Sequence, residues 1–470
     1  MRKSISPSFR AFILNKYPGL ATNPAYLRFF RYLCFGDFFD EATDQLVIPT
    51  KMIAVDCCLK AWDRNFNGKQ FLLEFQRDVI PAMAWTEPTF ASTESWHGKA
   101  REVLHRGFDQ EMLTMLHKEC VSPHDDQVDL VSGQPISSHS IYTERKQDTV
   151  HYETELAQFS LNETQAKILD YLRRLNVGHL FIKRVALNQE KIEQAIAQLP
   201  ATTQQIQFQI LANVHRNPRV YYLPSSNERT CRLSPRGASI VGLRSEVRKA
   251  LSSGWVECDL RSSQFAILAA RLNAPISEAF IQSGESIWRS FYQHTHGLFE
   301  DPPKTIKKVF KEAMYSICFG KSVTNLTEVL NKHGLVKLLS HPIIQELLVL
   351  RKTWFLKIRE AGGAFDVWDQ WQALDLSKDP LTKKTRRWEG AVAASVIRSI
   401  EMEIISPIFE VAMKHGRSQQ FGICLFQHDG ATISFKAKDR KARAQELLKD
   451  AVERRARELG VTTVLEFTDL

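Results

Sequence analysis

Two aspartates far apart in the chain each stand at the end of an apolar run. One is Asp259 in "GWVECDLRSSQFAILAARL", residues 254–272; the other is Asp429 in "CLFQHDGATISF", residues 424–435. Trp255, Val256 and Cys258 suit a short strand that reaches Asp259, and "SQFAILAARL" has the apolar periodicity of a helix beginning soon after. Around Asp429 the alternation predicts a β-hairpin, with Cys424, Phe426, Ala431, Ile433 and Phe435 filling one face. Each aspartate has an ordinary explanation of its own. Asp-Gly is a common hairpin turn, and an aspartate before a helix complements the helix dipole. Taken together, two carboxylates at strand ends can converge at one sheet edge. There they could hold two divalent cations roughly 4 Å apart, the device that drives in-line phosphoryl transfer. Two Asp with no Cys or His cluster suit Mg²⁺, a hard cation that takes carboxylate and phosphate oxygens.

Between the two aspartates lies "PPKTIKKVFKEAMYSICFGKS", residues 302–322. Pro303 can open a helix in which Lys307, Lys311, Tyr315 and Phe319 recur every four residues along one side. Ile306, Val309, Phe310, Ala313 and Ile317 form the stripe to bury. A lysine row is ordinarily a solvated face. This one runs on into two aromatics and ends at Gly320. Ammonium groups suit a triphosphate, and rings suit a base.

The elements that carry these residues belong to a chain of 470 residues, long enough for two to four domains. Composition is ordinary globular, with 44% hydrophobic and 24% charged residues and no window apolar enough to span a bilayer. The start, "MRKSISPSFRAFILNKYPGL", is basic without an apolar core or cleavage site, so no signal peptide is expected. Eight cysteines are scattered without a CxxC, which argues for a reducing, cytoplasmic setting over a disulfide scaffold or zinc site. The net charge of +9 is compatible with a polyanionic partner.

Residues 1–120 mix aromatic-rich strands such as "KQFLLEF" with amphipathic helices such as "WHGKAREVLHRGF". A polar run over 121–158 reads as a linker or long surface loop and marks the main boundary. "LNETQAKILDYLRRLN" then starts a helix, with Asn162 and Gln165 forming a capping box. A second helix, "NQEKIEQAIAQL", follows; the two are a helical hairpin or, less simply, a winged-helix DNA reader.

Four segments, in order, resemble the motifs of the family A DNA polymerases. Lys-x3-Lys-x3-Tyr-x3-Phe-Gly, from Lys307 to Gly320, resembles that family's motif B. "DLRSSQFAILAARL" resembles motif A, with Leu268-Ala269 in register, and "QHDGATISF" resembles motif C, with His428-Asp429 as its His-Asp pair. "TCRLS", residues 230–234, resembles the Thr-Gly-Arg-Leu-Ser segment, and "GASIVGLRSEVRKAL" follows it. The resemblance spans about residues 160–470.

It implies an α+β right-hand polymerase that extends primer-template DNA with deoxynucleoside triphosphates and two Mg²⁺ ions. The thumb would be 159–222, the palm 223–282 and 389–470, and the fingers 283–388, behind an N-terminal mixed α/β domain over 1–158. Asp259 and Asp429 would hold the metals. Lys311 would grip the triphosphate, with Lys307 where the family has arginine. Tyr315 would close over the sugar and base, Phe319 and Gly320 would meet the template, and Arg232 would reach the primer end in the minor groove. "AVAASVIRSIEMEII" corresponds to the template-contacting helix, with Arg398 where the family has glutamine.

The departures concern acidic and phosphate-binding positions. Gln264 stands where the family has glutamate, Gly430 where a carboxylate follows His-Asp, and Trp288 where a histidine binds phosphate, with Arg289 beside it. Single-subunit RNA polymerases also lack both acidic residues, so an RNA polymerase or primase-like enzyme stays open. So does a catalytically inactive DNA-binding replication factor. No Asp-x-Glu occurs over 1–158, and "DFFDE" and "HDDQVD" read as loop carboxylates, so no 3′-5′ exonuclease is expected.

Overall fold

The computed structural model describes residues 4–35, 39–40, 45–49, 68–79, 92–93, 100–105, 108–121, 128–136, 149–174, 178–216, 218–224, 232–236, 239–378, 385–427 and 429–470. The chain divides into two compact units. The first comprises residues 1–158, 176–222 and 235–253; the second comprises 159–175, 223–234 and 254–470. The segment expected as one helical thumb is therefore shared between them.

In the first unit the N-terminal expectations exchange places. "KQFLLEF" lies in a helix, Gly68–Val79, and not in a strand. Phe71, Phe75 and Val79 recur every four residues and all are buried, with Phe29 edge-on to Phe75 at 4.7 Å. "AREVLH" is a strand, Ala100–His105, and not a helix, paired antiparallel with Gln45–Pro49 and with Ser92–Thr93. A long-range strand partner overrides a local helical pattern, because strand preference depends on its neighbours.

The polar run after residue 121 is not a free linker either. Val128–Asp129 pairs with Ser4–Ile5, and Val128, Leu130 and Tyr152 are buried. The Tyr152 hydroxyl donates to the Tyr222 carbonyl at 2.9 Å. A few apolar side chains in a polar run suffice to fix it when each finds a pocket. Asp129, in the run "HDDQVD", falls in that strand, and its Oδ1 accepts from the Val131 and Ser132 N–H groups. Asp40 of "DFFDE" also falls in a short strand, Phe39–Asp40.

The two helices after residue 160 belong to different units. Glu163–Arg174 lies in the second and Gln189–Ala197 in the first, with a third helix, Gly178–Leu187, between them. The capping box is present: Gln165 N–H donates to Asn162 Oδ1 at 2.8 Å, and Asn162 N–H donates to Gln165 Oε1 at 3.1 Å.

The second unit is built on a four-stranded antiparallel sheet. Its strands lie in the order Phe421–Phe426, Gly430–Phe435, Val256–Leu260 and Leu465–Asp469. Helix Ser263–Leu272 leaves the Val256–Leu260 strand almost at once, and helix Glu389–Ile405 is buried along nearly its whole length. The region 283–388 carries the helices Ile287–His296, Lys304–Cys318, Val323–Asn331 and Pro342–Ala361. It also carries two β-ribbons that the expectation of helical fingers did not include: Gly363–Phe365 with Trp371–Ala373, and Asp375–Lys378 with Thr385–Arg387. Among the described residues, no helix is long and apolar enough to cross a membrane.

The hairpin buries more than one face. Ile423 and Leu425 are as buried as Cys424 and Phe426, whereas Phe435 is half-buried. The register shifts between Ile423 and Leu425, and Phe409 of helix Pro407–Gln419 packs edge-on against Phe426 at 5.4 Å. An edge strand covered by helices has no solvent face to keep polar. Its open hydrogen-bonding side is met by a side chain: the Ile423 N–H donates to the Tyr171 hydroxyl at 3.0 Å. Tyr171→Phe should leave that N–H buried and unpaired, at a cost of about 1–3 kcal/mol. Urea unfolding of the two proteins side by side checks it; equal midpoints would mean the contact contributes nothing.

Candidate active site

Strand register brings the two aspartates together. Asp259 sits opposite Gly430 across one strand pair and opposite Glu466 across the other. Asp429 immediately precedes Gly430, and its carbonyl accepts from the Leu260 N–H at 3.2 Å. Gly430 permits the approach. A Cβ there would lie 2.3 Å from the Cys258 carbonyl oxygen and 3.2 Å from Asp259 Oδ1. The missing carboxylate at 430 is thus a steric matter: no side chain fits at that register.

Beyond Asp259 the chain turns into helix Ser263–Leu272 through Ser262, which holds a left-handed φ of +47°. A non-glycine residue in that region stores strain, and such strain gathers at functional sites. The turn keeps Asp259 at the sheet end and puts Ser263 and Gln264 in the first helical turn. Gln264 is 7% exposed, and its Oε1 has no hydrogen-bond partner.

A third carboxylate lies beneath the pair, one that sequence reasoning missed. Glu401, on helix Glu389–Ile405, is 1% exposed. Its Oε1 accepts from Ser263 Oγ at 2.7 Å and its Oε2 from Arg232 Nη2 at 2.5 Å. The signal was present: Glu401 lies inside "SVIRSIEMEII", where Arg398, Glu401 and Glu403 are the charges in a run otherwise fit for burial.

This crowding sets the acidity of the pair. Both Asp259 and Asp429 are pushed above the ordinary carboxylate range. Asp259 is exposed to the cleft, and its causes are desolvation by the surrounding protein, then Asp429, Glu257 and Glu401. For Asp429 they are burial and then Glu401, with Arg232 and Lys311 pulling the other way. An anionic cluster that destabilises its own ionised form is a place for cations. Among the described residues no group of three or more His, Cys, Asp or Glu has metal-binding geometry. A metal here would rest on two carboxylates plus oxygens from substrate and water, which is how Mg²⁺ is commonly held.

Opposite the pair stands helix Lys304–Cys318. Val309, Phe310, Ala313, Met314, Ile317 and Cys318 are buried, with Ile306 half-buried, so the stripe faces inward as its periodicity required. Lys311 and Tyr315 are exposed on the other side. Asp259, Asp429, Lys307, Lys311, Tyr315 and Arg289 line one cleft of about 680 Å³. Lys307 and Lys311 have no ion-pair partner among the described residues, and Lys311 Nζ stands 6.0 Å from the centre of the Trp288 ring. The Tyr315 phenol is pushed up to about 12, by burial first and then by Asp429, Glu401 and Asp259, so it stays a hydroxyl donor at neutral pH.

A second cavity, of about 800 Å³, opens along the same helix between Tyr315, Phe319, Gly320 and Trp388, with Lys308 and Lys311 at its rim. Gly320 holds a φ of +79°, and a Cβ there would meet the Phe355 ring at 2.7 Å. The Arg398 guanidinium lies 4.8 Å from the Phe319 ring centre.

The remaining candidates are placed as follows. Arg232 is ion-paired with Glu401. Arg289 is clamped to Asp301 by two 2.8 Å hydrogen bonds at the cleft mouth. His428, Thr230 and Cys231 lie outside the described residues.

No protein-family model matches the chain, and no curated protein does. Among solved structures, the polymerase domain of Pol1 from M. smegmatis, in complex with DNA primer-template and dNTP, is similar at a TM-score of 0.44 and 12% identity. The match covers 64% of this chain and 65% of that one, just under two thirds of its length.

The raised acidity of the aspartate pair gives a testable pH dependence. In the folded protein both groups keep protons that the unfolded chain has already released. The pair's own contribution to the stability of the metal-free protein is therefore fully present below about pH 4, the ordinary carboxylate range, and is lost as pH climbs towards neutrality. Mg²⁺ favours the ionised pair and should restore what is lost. Thermal melts at several pH values should show the Mg²⁺-dependent gain in Tm widening with pH, and shrinking in Asp429→Asn. A gain independent of pH would count against a cation site at this pair.

Proposed function

We propose that the chain is a template-directed polymerase that extends a primer by nucleotidyl transfer, with DNA as the product. The observation that carries this reading is one cleft lined by two mutually repelling aspartates and by two lysines with no ion-pair partner among the described residues. Its palm would be the sheet over 223–282 and 389–470, and its fingers the region 283–388. The right-hand arrangement and the family A relationship rest on the sequence motifs.

The donor set fits Mg²⁺: two hard carboxylates, raised in pKa by desolvation and by neighbouring carboxylates. Asp259 and Asp429 would hold two ions, which when bound supply charge stabilisation at the attacking and leaving oxygens. Lys311 and Lys307 bind the triphosphate and orient the α-phosphate towards the primer 3′-hydroxyl, which displaces pyrophosphate. Tyr315, an exposed ring one turn beyond Lys311, covers the sugar and base. Phe319, backed by Arg398 and followed by Gly320, offers the template strand a stacking surface. Arg232 sits beside Asp429 where the primer end must come. Arg289 joins the phosphate contacts once Asp301 releases it.

Asp259→Ala and Asp429→Ala should each lower extension by several orders of magnitude while leaving primer-template affinity nearly intact. Primer extension across a Mg²⁺ titration, with a binding assay beside it, separates this from a DNA-binding factor. A binder without metal-dependent extension would sink the enzyme reading.

The RNA reading rests on the sequence, where an amide stands at 264 in place of the glutamate the resemblance expects; the Gln264 Oε1 itself is buried. An amide at this position should exclude ribonucleotides less strictly than a carboxylate, by ~1–2 kcal/mol, roughly one hydrogen bond. Extension rates with deoxy-, dideoxy- and ribonucleotides at matched concentration should rank DNA synthesis first. Dideoxynucleotides should be accepted through the Tyr315 hydroxyl, and ribonucleotide leakage should rise in Gln264→Ala. Ribonucleotides used better than deoxynucleotides would make this an RNA polymerase or primase.

A further inference from the structure

Glu401 is the most deeply buried acid among the described residues of the second unit, and the transfer reaction leaves it without a task. It is 1% exposed, in a helix buried nearly end to end, where an ionised carboxylate is costly unless fully bonded. Both of its oxygens are engaged. Oε1 takes the Ser263 hydroxyl at 2.7 Å, and Oε2 takes the Arg232 guanidinium at 2.5 Å. A carboxylate with both oxygens committed is poorly placed to ligate a metal. It is well placed to hold its partners.

Those partners come from separate stretches of chain. Ser263 opens the helix directly after the Asp259 strand, one residue past the strained Ser262. Arg232 precedes the short strand Leu233–Pro235, and its charge pulls against the rise in the Asp429 pKa. Its side chain is only 21% exposed. An arginine has many rotamers, and a fixed one needs a rigid acceptor behind it. A buried carboxylate on a packed helix is such an acceptor.

We propose that Glu401 is a positioning residue of the transfer site: through its ion pair it fixes Arg232 beside Asp429 in the pose that receives the primer end, and through Ser263 it ties that pose to the Asp259 turn. This rests on the polymerase reading above. Glu401 touches no substrate; it acts through Arg232. Removing it takes away this anchor and leaves the arginine in the chain.

The experiment is a double-mutant cycle read by primer-template binding, measured by fluorescence anisotropy without nucleotide, and by steady-state extension with Mg²⁺. Glu401→Gln should weaken primer-template binding about tenfold, the loss of one charge-assisted contact, while the KM for nucleotide stays within about twofold. Arg232→Ala should weaken binding at least as much. The double variant should bind no worse than Arg232→Ala alone, because Glu401 has nothing left to position. Additive losses, or wild-type affinity in Glu401→Gln, would overturn the proposal. Should Glu401→Gln not fold, Arg232→Lys carries the test: the charge is kept but the planar fork is lost. A tenfold weaker primer-template complex then supports the proposal, and wild-type affinity overturns it. Failure of the polymerase reading shows itself separately, as an unmutated protein that neither binds primer-template nor extends it.

Discussion

The second unit is organised around one unfavourable interaction, the repulsion between two carboxylates held at neighbouring strand ends. Arg232 and Lys311 offset it at Asp429 only in part, since both aspartates stay above the ordinary carboxylate range. The strand pairing imposes it, because Asp259 is locked opposite Gly430 and Asp429 is the next residue along. Gly430 is what makes that lock possible, since the backbone of Cys258 occupies the space a side chain would need. The surrounding architecture then reads as a set of supports. A sheet covered by helices fixes the register, a strained Ser262 turns the chain away at the right residue, and Glu401 ties the turn to Arg232 from below.

How much of this was legible in the sequence follows from the range of the interactions involved. Helix Lys304–Cys318 was readable because its information is local: a buried stripe and a lysine-aromatic stripe at four-residue spacing. The Asn162–Gln165 capping box is local too, and both of its hydrogen bonds are present. The convergence of Asp259 and Asp429 needed only that both lie at strand ends. What escaped depends on partners far away in sequence. "AREVLH" is a strand because Gln45–Pro49 lies beside it, and "KQFLLEF" a helix because its aromatics meet Tyr26 and Phe29. The second buried face of the hairpin, the clamp on Arg289 and the bridge through Glu401 likewise exist only between segments. Periodicity does not report the partner of an ionised group.

Charge accounting in the cleft links the site to its substrate. Four cationic side chains line it, Arg261, Arg289, Lys307 and Lys311. Two are already matched by carboxylates, Arg261 by Glu466 at 2.5 Å and Arg289 by Asp301. The two lysines are not, and they sit on the helix that faces the aspartates. An incoming triphosphate thus meets uncommitted charge at Lys311 and Lys307, whereas using either arginine means breaking an ion pair first. Both arginine pairs are about half exposed, and exposed pairs contribute little, typically about 0–1 kcal/mol, so exchanging a carboxylate for a phosphate costs little. The buried Arg232–Glu401 pair is of the opposite kind. Removing one partner strands a charge in a low-dielectric interior, so that pair keeps its geometry while the rim exchanges partners. On the proposed reading the cleft would combine a fixed floor, holding the primer end and the metals, with a yielding rim, where triphosphate would enter and pyrophosphate would leave.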